Sequence, residues 1–337
     1  MSSSVRGPSM RELWAGDALP SAAPPVLRWG VLSTARIARK NCRAIALSSC
    51  GELVAVASRS LDRAAAFVRE HGCVREPGAV RAYGSYQELL DDENVDAVYI
   101  PLPTAMHREW VIKAARRKKH VLVEKPVALS LAEFDEMMAA CDENGVLLMD
   151  GVMFMHNKRL LKLCEEFHEQ LGSMRARPLR ITSAFSFYGD RAFFERDIRT
   201  KPDADPLGCL GDLGWYCVRF AMCCMSFHEL DKPTAAKCVS MRRNCAGVPT
   251  DCEAVVRWGA GYPINGATLS FHASFHAPWR QWVEVCSGEK VLTMDDFVIS
   301  RPADSRFKVE STQLSDLGRM SAERVFSTPD VNQVRVP

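Results

Sequence analysis

From Val26 to Asp150 the chain alternates short apolar runs with amphipathic segments, and this alternation restricts the folds open to it more than any other feature. The runs "LRWGVLS", "ELVAVAS", "DAVYIPL", "HVLVEK" and "GVLLMD" are apolar on consecutive residues, the pattern of strands buried on both faces. Between them, the spacing predicts helices over Arg36–Leu47, Leu61–His71, Met106–Arg117 and Ser130–Asn144. Ser130 and Glu133 have the spacing of a capping box, and Gly72 and Gly145 stand where helices should stop. Strand and helix in strict alternation imply right-handed crossovers and a doubly wound parallel sheet, an α/β Rossmann domain over 26–150. Such sheets bind ligands at the carboxyl ends of their strands.

The flanking regions have a different texture. Residues 1–25 are rich in Ser, Pro and Ala, without periodicity, and read as a disordered tail. After Gly151 a helical stretch (Lys158–Gln170) and strand-like "LRITSAFSF" precede a helix starting near Gly211. The segments "AAKCVSMRR", "CEAVVRW", "ATLSFHASFH", "QWVEVCS" and "KVLTMDDFVI" follow without helices between them. This predicts an α+β domain with an open, mainly antiparallel sheet over 151–300. Residues 301–337 are expected to be irregular.

Bulk properties exclude several function classes. The 337 residues carry 43 basic and 41 acidic side chains, a net charge of +2, and no long run of one sign. Neither nucleic acid nor an anionic membrane is favoured as a partner. The densest basic cluster, Arg116–Lys119, reads as a solvated helix end. No apolar run approaches the roughly 20 residues of a membrane helix, and the N-terminus lacks the order of a secretory signal, so a soluble, cytoplasmic protein is expected. The 13 cysteines are scattered without a CxxC pair, as for reduced, mostly buried thiols. His272 and His276 alternate within a strand-like segment, and no metal site is predicted.

Three stretches carry candidate chemistry. In "LRWGVLSTARIAR" the dinucleotide-loop register G-x-G-x-x-G/A falls on Ser33, Ala35 and Ala38, which are all small but none of them glycine. Ser33, Thr34, Ala35, Arg36 and Ile37 are thereby the candidate phosphate loop and helix N-terminus, although small residues also occur at ordinary strand-helix corners. About 20 residues on, where an acidic residue would hold a ribose hydroxyl, stand Ser58, Arg59 and Ser60. A guanidinium there suits a 2'-phosphate and favours NADP(H) over NAD(H). The third stretch is "HVLVEKPVALS", where Glu124, Lys125 and Pro126 end a buried strand. "YIPLPTAMH" ends the preceding strand at the same edge, with Pro101, Leu102, Pro103, Thr104 as a helix N-cap, and His107. Lys125 is either part of that ligand edge or a surface ammonium.

Taken in order, "RWGVLSTARIA", "AVASRS", "VDAVYIPLPTAMHREW", "HVLVEKPVALS", "MDGVMFMHNKR" and "GCLGDLGWYCVRF" resemble the Gfo/Idh/MocA oxidoreductases, over Val26–Ile299. Within that family they are most similar to the branch of dimeric dihydrodiol dehydrogenase, or D-xylose 1-dehydrogenase (NADP+). The resemblance implies a Rossmann domain, a second domain whose open sheet is often used for dimerisation, and a sugar or dihydrodiol alcohol as substrate. Lys125 matches the family's catalytic lysine. Tyr216 matches a position where many members carry His and this branch carries Tyr. Asp212 and Tyr216 are four apart, one face of a helix. A neighbouring ammonium lowers a phenol's pKa from near 10, so the resemblance implies Tyr216 as general acid/base, Lys125 as its helper and Asp212 as the group orienting substrate hydroxyls. It also implies Phe154, His156, Arg159 and Arg199 in the substrate wall. The sequence departs from the family at the loop glycines, at Pro206 and Leu207, where relatives often carry glycines, and at a C-terminal helix that relatives usually add. The reading is an NADP(H)-dependent dehydrogenase or reductase. Its alternatives are a catalytically silent dinucleotide-binding regulator and a glycosidase that recycles a tightly held NAD.

Overall fold

The computed structural model describes residues 26–71, 80–160, 162–163, 179–226, 232–261, 264–300, 305–315 and 318–328. They fall into two units, one of 26–152 with Lys201–Pro206 and one of 153–200 with the described residues from Leu207 onward. The second unit's polypeptide is thus interrupted by six residues that belong with the first.

The first unit holds strands β1 (Leu27–Leu32), β2 (Gly51–Ala57), β3 (Arg81–Tyr83), β4 (Ala97–Ile100), β5 (His120–Val123) and β6 (Leu148–Asp150). They pair in parallel in the order β3-β2-β1-β4-β5-β6. The order reverses between β1 and β4, which places a ligand crevice at their carboxyl ends. Helices α1 (Arg36–Leu47), α2 (Leu61–His71), α4 (His107–Arg116) and α5 (Leu131–Asn144) stand where the periodicity predicts them. A short helix α3 (Tyr86–Leu90), capped by Ser85, precedes β4. β4 is buried along its whole length, as strands covered on both faces must be. Fully buried Leu32 and Ile100 each contribute about 1.5–3 kcal/mol of transfer free energy. Towards the sheet α1 presents the small Ala38 and Cys42, which pack with Val31, Val56 and Tyr99.

Local chemistry explains the boundaries. At α5 the Ser130 hydroxyl accepts the Glu133 N–H at 3.2 Å, but the Glu133 carboxylate reaches back to the Leu129 N–H at 3.0 Å, one residue beyond the reciprocal box. Gly145 closes α5 in the left-handed region (φ 66) as expected, and Gly72 lies outside the described residues. The glycine of "LRWG" is there for packing: a Cβ on Gly30 would sit 2.6 Å from Leu89 Cδ2 and 3.1 Å from Val95 Cγ1.

The second unit is built on one eight-stranded sheet in the order β14-β13-β12-β11-β7-β10-β9-β8. Its strands are β7 (Leu179–Tyr188), β8 (Ala235–Arg243), β9 (Pro249–Gly261), β10 (Ile264–Ser274), β11 (His276–Ser287), β12 (Lys290–Met294), β13 (Ser305–Ser315) and β14 (Gly318–Thr328). β7 and β10 run parallel at its centre and the other neighbours are antiparallel, in agreement with the expected mainly antiparallel sheet. Between β7 and β8 come α6 (Arg191–Arg196), capped by the Asp190 carboxylate, a π-helical turn (Leu210–Gly214) and α7 (Trp215–Ser226). Along β10, Leu269, Phe271 and Ala273 are buried on the face that meets the π turn, where a Cβ on Gly214 would lie 3.1 Å from Phe271. Thr268, Ser270 and His272 on the opposite face are half-buried.

Two expectations change. Residues 305–315 and 318–328 are not irregular: they are β13 and β14, a hairpin paired from Ser305↔Thr328 to Ser315↔Gly318. Buried Phe307 and Val309 alternate there with half-buried Lys308 and Glu310, the period of a strand with one wet face. The predicted helix Lys158–Gln170 lies mostly outside the described residues.

Candidate active site

At the end of β1, Ser33, Thr34 and Ala35 are half-buried, and Arg36 and Ile37 are exposed on the first turn of α1. The Ala35 N–H donates to the Ser33 hydroxyl at 2.9 Å. The serine therefore orders the corner where a glycine would leave it free. α1 starts without a side-chain cap and without an acid in its first turn. Its leading N–H groups and positive dipole end are available to an anion. Ala38, the third small position of the loop register, is fully buried, as close helix-sheet packing requires.

At the end of β2, Ser58 is buried, with its N–H donated to the Tyr83 carbonyl at 3.1 Å, and Arg59 is exposed beside half-buried Ser60. A second cation, Arg63, joins it. Burial pushes the Tyr86 phenol upward, and the charges of Arg59 and Arg63 both draw it back, so both guanidiniums act on one ring. Sequence reasoning missed Arg63, although its position four residues beyond Arg59, in the first turn of α2, was the available signal.

The two loops bracketing Lys125 are tied together by His107. It is fully buried, with Nε2 2.8 Å from the Leu102 carbonyl and Nδ1 3.1 Å from the carbonyls of Pro126 and Val127. With both nitrogens facing the backbone, His107 positions the loops and does not present a nitrogen to a cofactor. Glu124 is occupied as well: the Tyr99 hydroxyl donates to its carboxylate at 2.5 Å and the Lys125 N–H at 3.2 Å. Burial, then the Glu124 charge, hold the Tyr99 phenol well above its ordinary range, so it stays a donor. Lys125 itself is half-buried, and its peptide bond to Pro126 is cis. Pro101 and Leu102 are buried and Pro103 is half-buried.

Thr104 is not the expected N-cap. It lies within a 3₁₀ turn (Thr104–Met106), and both its N–H, at 2.9 Å, and its hydroxyl bond the Asp205 carboxylate. No local pattern announces a partner 101 positions away.

In the second unit Tyr216 lies in the first turn of α7 and is buried, its ring 5.6 Å from Phe185 and 6.1 Å from Phe154. Phe154 also meets Phe220 and Phe297, at 6.4 and 5.9 Å. The sequence reading named Phe154 alone of these phenylalanines. Asp212 lies in the π turn, so the one-face α-helical register expected for Asp212 and Tyr216 is replaced by a wider turn. Arg199 donates from Nε to Asp212 at 3.0 Å and from Nη1 to Asp197 at 3.2 Å. The Asp212 charge, opposed by burial and aided by Asp197, drives the Arg199 pKa upward, so this guanidinium is a permanent cation held by two carboxylates.

Arg159 is elsewhere. Nearly fully buried, it pairs with the Asp296 carboxylate and donates to the backbone carbonyls of Asp296, at 2.8 Å, and Arg306, at 3.1 Å. That set uses its fork to anchor the segment before β13, which removes it from the substrate wall. His156 is exposed at the end of a 3₁₀ turn (Met153–His156). Among the described residues no cluster has the make-up of a metal site, and no helix is long and apolar enough to cross a membrane.

Comparison with known proteins agrees with this geometry. Residues 27–152 match the family model described as "Oxidoreductase family, NAD-binding Rossmann fold". The D-xylose 1-dehydrogenase (NADP(+)) 2 of Haloferax volcanii is 33% identical over 302 residues, 89% of this chain and 83% of that protein. The trans-1,2-dihydrobenzene-1,2-diol dehydrogenase of Mus musculus is 34% identical over 200 residues, 58% of this chain and 55% of that protein. Among solved structures, a 3-ketoreductase from Actinomadura kijaniata in complex with NADP and TDP-benzene superposes with a TM-score of 0.72 at 26% identity, covering 91% of this chain and 86% of that one.

Proposed function

Because the chain belongs to the Gfo/Idh/MocA oxidoreductase family, we propose that it is an NADP(H)-dependent enzyme that oxidises an alcohol carbon of a sugar or cyclic diol, or reduces the corresponding carbonyl. What carries this reading is the carboxyl end of the parallel sheet. There α1 begins with no cap and no acid, and Arg59 stands exposed at the end of β2, its charge and that of Arg63 both acting on the Tyr86 phenol. An anionic dinucleotide bearing a 2'-phosphate fits these groups: the first N–H groups of α1 would hold the pyrophosphate and Arg59 the 2'-phosphate. A bound nicotinamide supplies the hydride acceptor or donor.

The protein's own part is to handle the proton and hold the alcohol. Tyr216 takes the hydroxyl proton in oxidation and returns it in reduction. Lys125, half-buried after β5, is the cation we assign to assist this proton transfer. Asp212, already oriented by Arg199, accepts hydrogen bonds from substrate hydroxyls. Relatives named for D-xylose and for a dihydrobenzene diol support an uncharged cyclic polyol as substrate. We also propose a cytoplasmic homodimer joined through the outer face of the eight-stranded sheet, the association testable by light scattering.

Titration with NADPH and NADH tests the cofactor. NADPH is expected to bind about tenfold or more tightly, and Arg59→Ala to abolish the preference, because a charge-assisted pair to phosphate is worth about 1.5–3 kcal/mol. Equal affinities in the wild type would refute the assignment. Tyr216→Phe should keep NADPH affinity and lose turnover by about 100-fold or more.

A further inference from the structure

Trp279 lies in β11 between the pairs His276↔Tyr188 and Arg280↔Ser186, where the register of β11 on β7 shifts. Such an irregularity re-aims the side chains it contains, and it recurs beside active sites. The backbone on either side of Trp279 is pinned by buried polar groups. The Ser186 hydroxyl donates to the Pro278 carbonyl at 2.7 Å. On the other side the Gln281 carbonyl accepts the Phe297 N–H at 3.1 Å, and the Gln281 side-chain amide exchanges two hydrogen bonds with the Ile299 backbone, both at 2.8 Å. On this fixed frame the indole stands edge-on to Phe185, with centroids 5.7 Å apart at 87°, and Phe185 in turn meets Tyr216 at 5.6 Å. One ring separates Trp279 from the proposed proton-transfer group.

Its exposure sets Trp279 apart from that group. Phe154, Phe185, Tyr216, Phe220 and Phe297 are all buried, whereas Trp279 is 56% exposed. A large, rigid aromatic surface held in water by a preorganised backbone is suited to a ligand that has an apolar face and polar edges. A pyranose or a cyclic diol has such a face, because ring C–H groups point to one side while hydroxyls point outward. They meet the electron-rich indole face without loss of hydroxyl hydration. An open-chain polyol has no fixed face and must freeze several torsions to form one.

We propose that Trp279 is the stacking platform for the substrate ring and makes the site selective for cyclic over open-chain polyols. The inference rests on the Tyr216 reading of the preceding subsection.

The test measures NADP+ reduction with D-xylose and with trans-1,2-cyclohexanediol, and uses xylitol as a competitive inhibitor. Wild type, Trp279→Ala, Trp279→Phe and Tyr216→Phe are compared. For the cyclic substrates Trp279→Ala is expected to raise KM about tenfold with kcat within about threefold, the signature of lost ground-state binding. Trp279→Phe should recover most of that loss, and the xylitol inhibition constant and the NADPH affinity should stay within about twofold. An unchanged KM in Trp279→Ala, with Tyr216→Phe inactive, overturns the platform and leaves the Tyr216 reading intact. Turnover retained by Tyr216→Phe, or a wild type that oxidises neither cyclic probe, overturns that reading and the platform with it.

Discussion

Replacing Gly208 with alanine isolates the cost of one backbone contact ahead of the π turn that carries Asp212. Gly208 has φ +50, and a Cβ built there falls 2.0 Å from the Pro249 carbonyl oxygen and 2.8 Å from Val248 Cγ1, far inside the 3.4 Å at which ordinary contact begins. The oxygen belongs to the backbone at the start of β9, so relief requires the strand or the turn to move. Gly247, in the same unit, shares the left-handed backbone (φ +83) but has nothing within 4 Å of its Cβ position. Gly247→Ala should therefore show the conformational cost alone, about 1 kcal/mol. Gly208→Ala adds an overlap of the overpacking kind, about 2 kcal/mol, for a total near 3 kcal/mol. In urea, with a slope of about 2–3 kcal/mol/M, the extra loss separates the two midpoints by about 0.7–1 M. Unfolding followed by circular dichroism measures the difference, and coincident midpoints would refute the steric argument.

Other expectations concern stability and reactivity. Arg159→Met removes one half of a buried ion pair together with two hydrogen bonds to backbone carbonyls, so a loss of about 3–5 kcal/mol is expected in thermal or urea unfolding, and Arg159→Lys, lacking the fork, should not restore it. The His276 imidazole has its pKa held below 6.5 by burial, then by the Arg242 charge, with Asp251 opposing. Its folded pKa lies below the unfolded one, so its contribution is complete above pH 6.5 and is lost as the pH falls below that value. Stability measured from pH 7.5 to 5 should therefore decline less steeply in His276→Gln than in the wild type. Burial, first among the causes, pushes the thiols of Cys141, Cys252 and Cys286 up to about 11. In native protein at pH 8, peptide mapping after iodoacetamide should find Cys238 and Cys50 alkylated and these three intact.

Five strands of the parallel sheet were legible as apolar runs, and its helices alternate polar and apolar faces with caps such as Ser130 and Gly145, whereas β3, three half-buried residues reading Arg-Ala-Tyr, carries no such run and was missed. The hairpin β13–β14 was missed even though Phe307 and Val309 alternate with charged residues. That period was masked by the surrounding polar sequence. Among the candidate residues, what the sequence placed was their position in the fold, the loop after β1 and Arg59 after β2. What could not be read was the partner of a polar side chain. Arg159 finds Asp296 137 positions away, and His107 uses its ring on carbonyls from two loops. Residue type alone marks both as site candidates, and only the fold shows them to be struts.

The short return of Lys201–Pro206 to the first unit bears on how this protein can be recombined. Asp205 receives both the N–H and the hydroxyl of Thr104, and the Ala204 carbonyl receives the Ala105 N–H at 3.0 Å. A chimera joined at a single point near residue 152 would supply these acceptors from a foreign sequence, and a fragment ending there would leave the donors to water. The unit of exchange, in the laboratory or in descent, is therefore discontinuous: residues 26–152 travel intact only when 201–206 come with them.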